Sequence, residues 1–151
     1  MTRIAPVMLA LTLALFLLAG CTTVRQTFPD RDPQHVWTAL IAVAETPDYS
    51  SEDPNQRWTV EENHVAVFDD ERRIEIYRKL DRILHRPGTK ALREDRTWRF
   101  RVVLEELEPP TAAFVSRGWG IPQVAQWEAH KYFADVWEIL GGPPTEEASE
   151  E

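Results

Sequence analysis

The sequence predicts an α+β fold, a two-layer sandwich. An antiparallel sheet of about five strands carries an N-terminal helix and a long C-terminal helix on one face. Three observations predict it. Apolar residues recur at helical spacing near both ends of the body, they alternate with polar residues in the middle, and Pro, Gly and Asp clusters punctuate the transitions. The length of 151 residues suits one domain, and 43% hydrophobic with 28% charged residues is an ordinary globular composition.

The first helix opens at Asp32-Pro33, an N-cap followed by proline at the first helical position. Val36, Trp37, Leu40, Val43 and Ala44 share one face, and Thr46-Pro47 ends it. Asp48 to Gln56 is polar and turn-forming, hence a loop. Arg57 to Glu61 alternates as a strand, Glu62-Asn63 turns, and His64 to Phe68 returns. After a turn at Asp69-Asp70-Glu71, Arg72 to Leu84 forms a longer strand with Ile74, Ile76 and Leu80 on one side. Arg86-Pro87-Gly88-Thr89 breaks it. Thr97 to Leu104 shows the alternation of a sheet with one wet face, with Trp98, Phe100, Val102 and Leu104 on the dry side. Thr111 to Arg117 is the last strand, and Gly118-Trp119-Gly120 is a loop. Pro122 opens the final helix, which runs to Leu140 with Ala125, Ala129, Tyr132, Phe133, Val136, Ile139 and Leu140 on one stripe. Gly141 to Pro144 stops it.

The first residues are of a different kind. Arg3 precedes the apolar run Ile4 to Leu18, which has signal-peptide length and is too short for a spanning helix. The run ends in Leu18-Ala19-Gly20-Cys21, which resembles the lipobox of bacterial lipoproteins, and Cys21 is the only cysteine in the chain. The resemblance covers the leader alone; the domain that follows matches no family by motif. It implies cleavage before Cys21, acylation of its thiol and an anchor in a membrane. Thr22 stands where related inner-membrane lipoproteins carry Asp, so the resemblance implies the periplasmic leaflet of the outer membrane. The expected organisation is then a signal peptide over 1–20, a lipidated cysteine and polar tether over 21–32, one domain over 33–141, and a disordered acidic tail over 142–151. The formal charge is −8, one unit more negative once Arg3 leaves with the leader. An acidic body is repelled by anionic headgroups and should hang in the periplasm.

The same charge argues against nucleic acid, which needs a basic surface. A single cysteine excludes a disulfide framework and a cysteine-rich zinc site. His35, His64, His85 and His130 lack metal-binding spacing, Ser116 lacks the glycine of a nucleophile elbow, and no phosphate-cradling loop is present. No metal, cofactor or catalytic residue is expected. The carboxylates at Glu61-Glu62, Asp69-Asp70-Glu71 and Glu105-Glu106 read as solvated turn and strand-end groups.

Three groups of residues remain. Arg78 falls on the apolar side of its strand. A strand end, edge or bulge that lets it snorkel out is the simpler account; the alternative is an inward arginine that pairs with a carboxylate or holds an anion. Arg99 and Arg101 face water beside Glu75, Tyr77, Lys79 and Asp81, where cross-strand pairs explain them, or where the face docks a partner. Among the six tryptophans, Trp37, Trp58 and Trp98 fit the core, and Trp137 flanks the helical stripe. Trp127 lies off that stripe beside Val124, Lys131 and Ala134, and Trp119 sits between glycines. Off-stripe tryptophan is either an interface anchor or is covered by the tether or long loop. The leading expectation is a non-catalytic lipoprotein binding another envelope protein through Trp119, Val124, Trp127 and Ala134. The alternative is a small carrier that holds an apolar or anionic ligand between helices and sheet near Arg78 and Tyr132.

Overall fold

The computed structural model describes residues 22–116 and 122–143. The leader, Cys21, Trp119 and all but the first two residues of the expected tail lie outside this range. The chain runs β1 (Thr22–Thr27), α1 (Pro33–Glu45), β2 (Thr59–Phe68), β3 (Arg73–Leu84), β4 (Leu92–Leu107), β5 (Pro110–Ser116) and α2 (Pro122–Ile139). The five strands form one antiparallel sheet in the order β1-β5-β4-β3-β2. Both helices pack on the same sheet face, as the α+β sandwich requires.

The strands differ from the sequence expectation in three places. Thr22 to Thr27, expected as tether, is a strand paired along its whole length with β5 (Thr22 opposite Ser116, Thr27 opposite Thr111). Its threonines and Val24 favour extended backbone, and the pairing satisfies the open edge of β5. The domain therefore begins at Thr22 and not at residue 33. Glu62-Asn63 is not a turn: a register shift between Val60 and Glu62 absorbs one residue, and β2 continues as a single strand. Asn63 consequently points inward, and its amide donates to the Ala44 and Glu45 carbonyls at the end of α1. β4 starts at Leu92 and not at Thr97, because Leu92 to Arg96 pair with the far half of β3. That segment has little apolar alternation and is held by the ladder and by cross-strand pairs such as Arg82–Glu94 at 2.6 Å and Arg93–Asp81 at 2.6 Å.

Asp32 caps α1, its carboxylate accepting from the Gln34 and His35 amides at 2.9 Å. Val36, Trp37, Leu40, Val43 and Ala44 are buried, as their spacing demands. On α2 the stripe from Ala125 to Val136 is buried, but Ile139 is 55% exposed, while Leu140 beside it packs against the core. The main core joins Ile74, Ile76, Phe100, Val102, Leu104 and Phe114 to both helices, and Phe28 completes it from the turn after β1. Tyr49, Trp58 and Leu80 form a smaller cluster at the other end, under the long loop.

Candidate functional site: a buried ion pair and the aromatic groove beside it

Arg78 points inward and is 2% exposed, so neither a strand end nor snorkelling accounts for it. Its neighbours satisfy its donors. Nε donates to Asn63 Oδ1 at 3.0 Å, Nη1 to the Tyr49 hydroxyl at 2.9 Å and Nη2 to the Ala44 carbonyl at 3.0 Å. Nη1 also lies 3.6 Å from a carboxylate oxygen of Glu128, which is equally buried. The Tyr49 hydroxyl in turn donates to that same Glu128 oxygen. Burial pushes the Glu128 carboxyl above its usual range, a shift opposed by Tyr49 and Arg78. Tyr132 lies alongside, with its hydroxyl donating to the Leu40 carbonyl and burial pushing its pKa up.

Arg78 and Tyr132, the expected ligand pair, are thus brought together, but their polar groups are taken by the protein. The space they share with Val43, Glu128 and Asp135 is about 10 Å³, room for one water and nothing larger. Glu128 was not anticipated, although a signal existed. It stands three residues after Ala125 and four before Tyr132, on the apolar stripe. An acid misplaced on a helix stripe and a base misplaced on a strand face are each other's expected partner.

On the outer side of this pair lies a groove of about 470 Å³. Gln123, Val124, Trp127 and Lys131 of α2 form one wall, and the loop from Tyr49 to Gln56 forms the other. The floor is Trp58, with Arg82 and Arg96 stacked over its ring at 4.3 and 4.6 Å. The loop is shaped by its own turns. Ser50 N donates to Asp48 at 2.7 Å, holding that carboxyl below its usual pKa, and Arg57 clasps the Ser51 carbonyl at 2.8 Å. It stands across from Trp127 without covering it, leaving that side chain 52% exposed.

Among the described residues no carboxylate lines the groove, although the chain as a whole is acidic. Arg82 is satisfied by Glu94 and the Asn55 carbonyl, and Lys131 by Asp135 at 2.7 Å. Arg96 has no acidic partner among the described residues, so its guanidinium, held flat on Trp58, keeps its fork of donors free. Of the expected docking residues, Val124 and Trp127 meet in this groove. Ala134 is exposed farther along α2 and outside it, and Trp119 is not among the described residues.

Comparison with family models, with curated proteins and with solved structures finds no match for this chain.

The opposite sheet face is the alternative surface. There Arg101 pairs with Glu75 at 3.0 Å, Lys79 with Glu61 at 2.8 Å, and Arg99 lies over the Tyr77 ring at 5.4 Å. The hydrogen bond from Lys79 holds the Glu61 carboxyl below its usual pKa. Most of its charges pair with one another, although Arg99, like Arg96, has no acidic partner among the described residues; its hollow is smaller, about 360 Å³, and is lined by the carboxylate of Glu75. Among the described residues no three His, Cys, Asp or Glu side chains converge on a metal-sized site, and no helix is long and apolar enough to cross a membrane.

Proposed function

We propose that this protein is a lipid-anchored, non-catalytic domain on the periplasmic side of the outer membrane that binds another envelope protein through the Trp58–Trp127 groove. One observation carries the binding reading: a half-exposed tryptophan faces a groove in which the described residues place no carboxylate, and whose floor presents an arginine, without an acidic partner among those residues, stacked on a second tryptophan. Tryptophan and arginine are the residues most often found at the energetic centre of an interface. The partner this chemistry fits is a segment that brings a carboxylate to Arg96 and an apolar side chain to Trp127. The anchor reading rests on Leu18-Ala19-Gly20-Cys21.

Trp127→Ala should weaken the complex about 30-fold, the factor for a tryptophan at the centre of an interface. A photo-crosslinker placed at the groove rim, on Gln123, reads this in cells. Its adduct should fade in Trp127→Ala and in Arg96→Glu, and persist in Ile139→Ala, which removes an equally exposed side chain outside the groove. An adduct of unchanged intensity in the two groove variants would remove the groove from consideration. For the anchor, a fatty-acid probe should label the wild type and not Cys21→Ala; equal labelling of both overturns it.

A further inference from the structure

Thr22 is already inside the sheet, which leaves no slack between the anchoring cysteine and the folded body. Cys21 lies outside the described residues, and the anchor reading ties the lipid to the Thr22 end of β1. The register locates this point. Thr22, Ser116, Phe100, Ile76 and Val65 lie in one row across the five strands. β1 and β5 go no farther in the direction of Cys21 within the described residues, whereas β3 and β4 continue paired to Leu84 opposite Leu92. At about 3.3 Å per residue, the hairpin overhangs the anchor row by about 26 Å. A headgroup layer is only about 5–8 Å thick on each side of the hydrocarbon. A domain standing upright on Cys21 would drive this hairpin through it.

The tip suits a surface rather than the hydrocarbon. Arg86-Pro87-Gly88-Thr89 makes a tight turn, with Thr89 N bonded to the Arg86 carbonyl at 3.2 Å and Gly88 at φ 74°. From Ile83 to Leu92 there is no Asp or Glu, and Arg86 and Lys90 make no ion pair among the described residues. Ile83 and Leu92 are about half exposed, at 51% and 49%, and point to opposite faces of the hairpin. Asn55 braces the base, its carbonyl accepting from Arg82 at 2.8 Å and its side chain from His85 N at 2.7 Å.

We infer that the β3–β4 hairpin is a second membrane contact: the domain reclines from Cys21 until Arg86 and Lys90 at the hairpin tip meet anionic phospholipid headgroups. The net charge of the whole chain predicts repulsion from such a surface, but the hairpin segment from Ile83 to Leu92 carries basic charges and no acidic ones. The inference rests on the anchor reading and not on the groove.

The lipidated chain, purified from membranes, tests it in vesicles of phosphatidylethanolamine and phosphatidylglycerol. With Cys21 acylated, Thr89→Cys supplies the only free thiol for a fluorophore, and Ile139→Cys, at the far end of α2, is the control. Spin-labelled lipids should quench the probe at 89 and not at 139. Replacing Arg86 and Lys90 together by alanine should lower the contact constant about 25-fold, at about five-fold for each basic residue near an anionic surface. Equal quenching at the two positions, in a chain that carries the acyl label, overturns the hairpin contact and leaves the anchor standing. A chain without the label overturns both.

Discussion

Arg78→Met is expected to cost about 3–5 kcal/mol, about a fifth or more of the stability of an ordinary domain. The reason is what the change leaves behind. Glu128 stays buried with its countercharge gone, and Tyr49, Asn63 and the Ala44 carbonyl lose a partner at the same time. Combining it with Glu128→Leu should recover much of the loss, because an apolar pair of similar volume carries no desolvation cost. Urea unfolding of the three variants reads the difference, and a double variant no better than the single would sink the account.

The pH dependence has a definite sign. Burial raises the folded-state pKa of Glu128, so above about 4.5 the unfolded chain gives up a proton that the folded chain still holds. Stability from this group is therefore fully present below 4.5 and falls as pH rises through the raised value. Without Arg78 the raised value moves higher still, so the deficit of Arg78→Met should shrink as pH falls toward 4.5 and widen as it climbs.

Phe28→Ala should cost about 3–5 kcal/mol, as expected for emptying a buried aromatic site. In a tether the same change would move stability by less than about 0.5 kcal/mol. Phe28 is completely buried, with its ring centroid 4.9 Å from Trp137 and 6.1 Å from Phe133. Phe68→Ala is the comparison: that ring is exposed, with Arg73 lying over it at 3.9 Å, and its loss should be small. Unfolding midpoints within error of each other would return residues 22–32 to the role of linker.

Those two residues also show what a sequence discloses and what it hides. α1, β3 and the buried stripe of α2 were legible because each shows its period in apolar residues alone. β1 was not, since Thr22 to Thr27 contains a single large apolar residue and its strand character comes from pairing with a segment some ninety positions away. The start of β4 was hidden similarly, behind charges whose partners lie on β3. At the candidate site, Trp127 and Val124 stood out by falling off the helical stripe. Trp58, Arg82 and Arg96 did not, because only the β3–β4 register and the loop bring them to one wall. Arg78 was visible as an anomaly, and its resolution required Glu128, an anomaly of the opposite sign on another element.

The strand order has a consequence for how the chain comes together. Among the described residues β1 is the first element and its only strand neighbour, β5, is the last strand, so the contact order of this pairing is close to the largest the domain allows. During vectorial synthesis, the hairpin-connected strands β2, β3, β4 and β5 have neighbours as they emerge, while β1 must wait for Thr111 to Ser116. Until then the backbone of Thr22 to Thr27 has no strand partner. A nascent chain stopped before Thr111 has nothing with which to close its sheet, which makes completion of the fold an event of the C-terminal half.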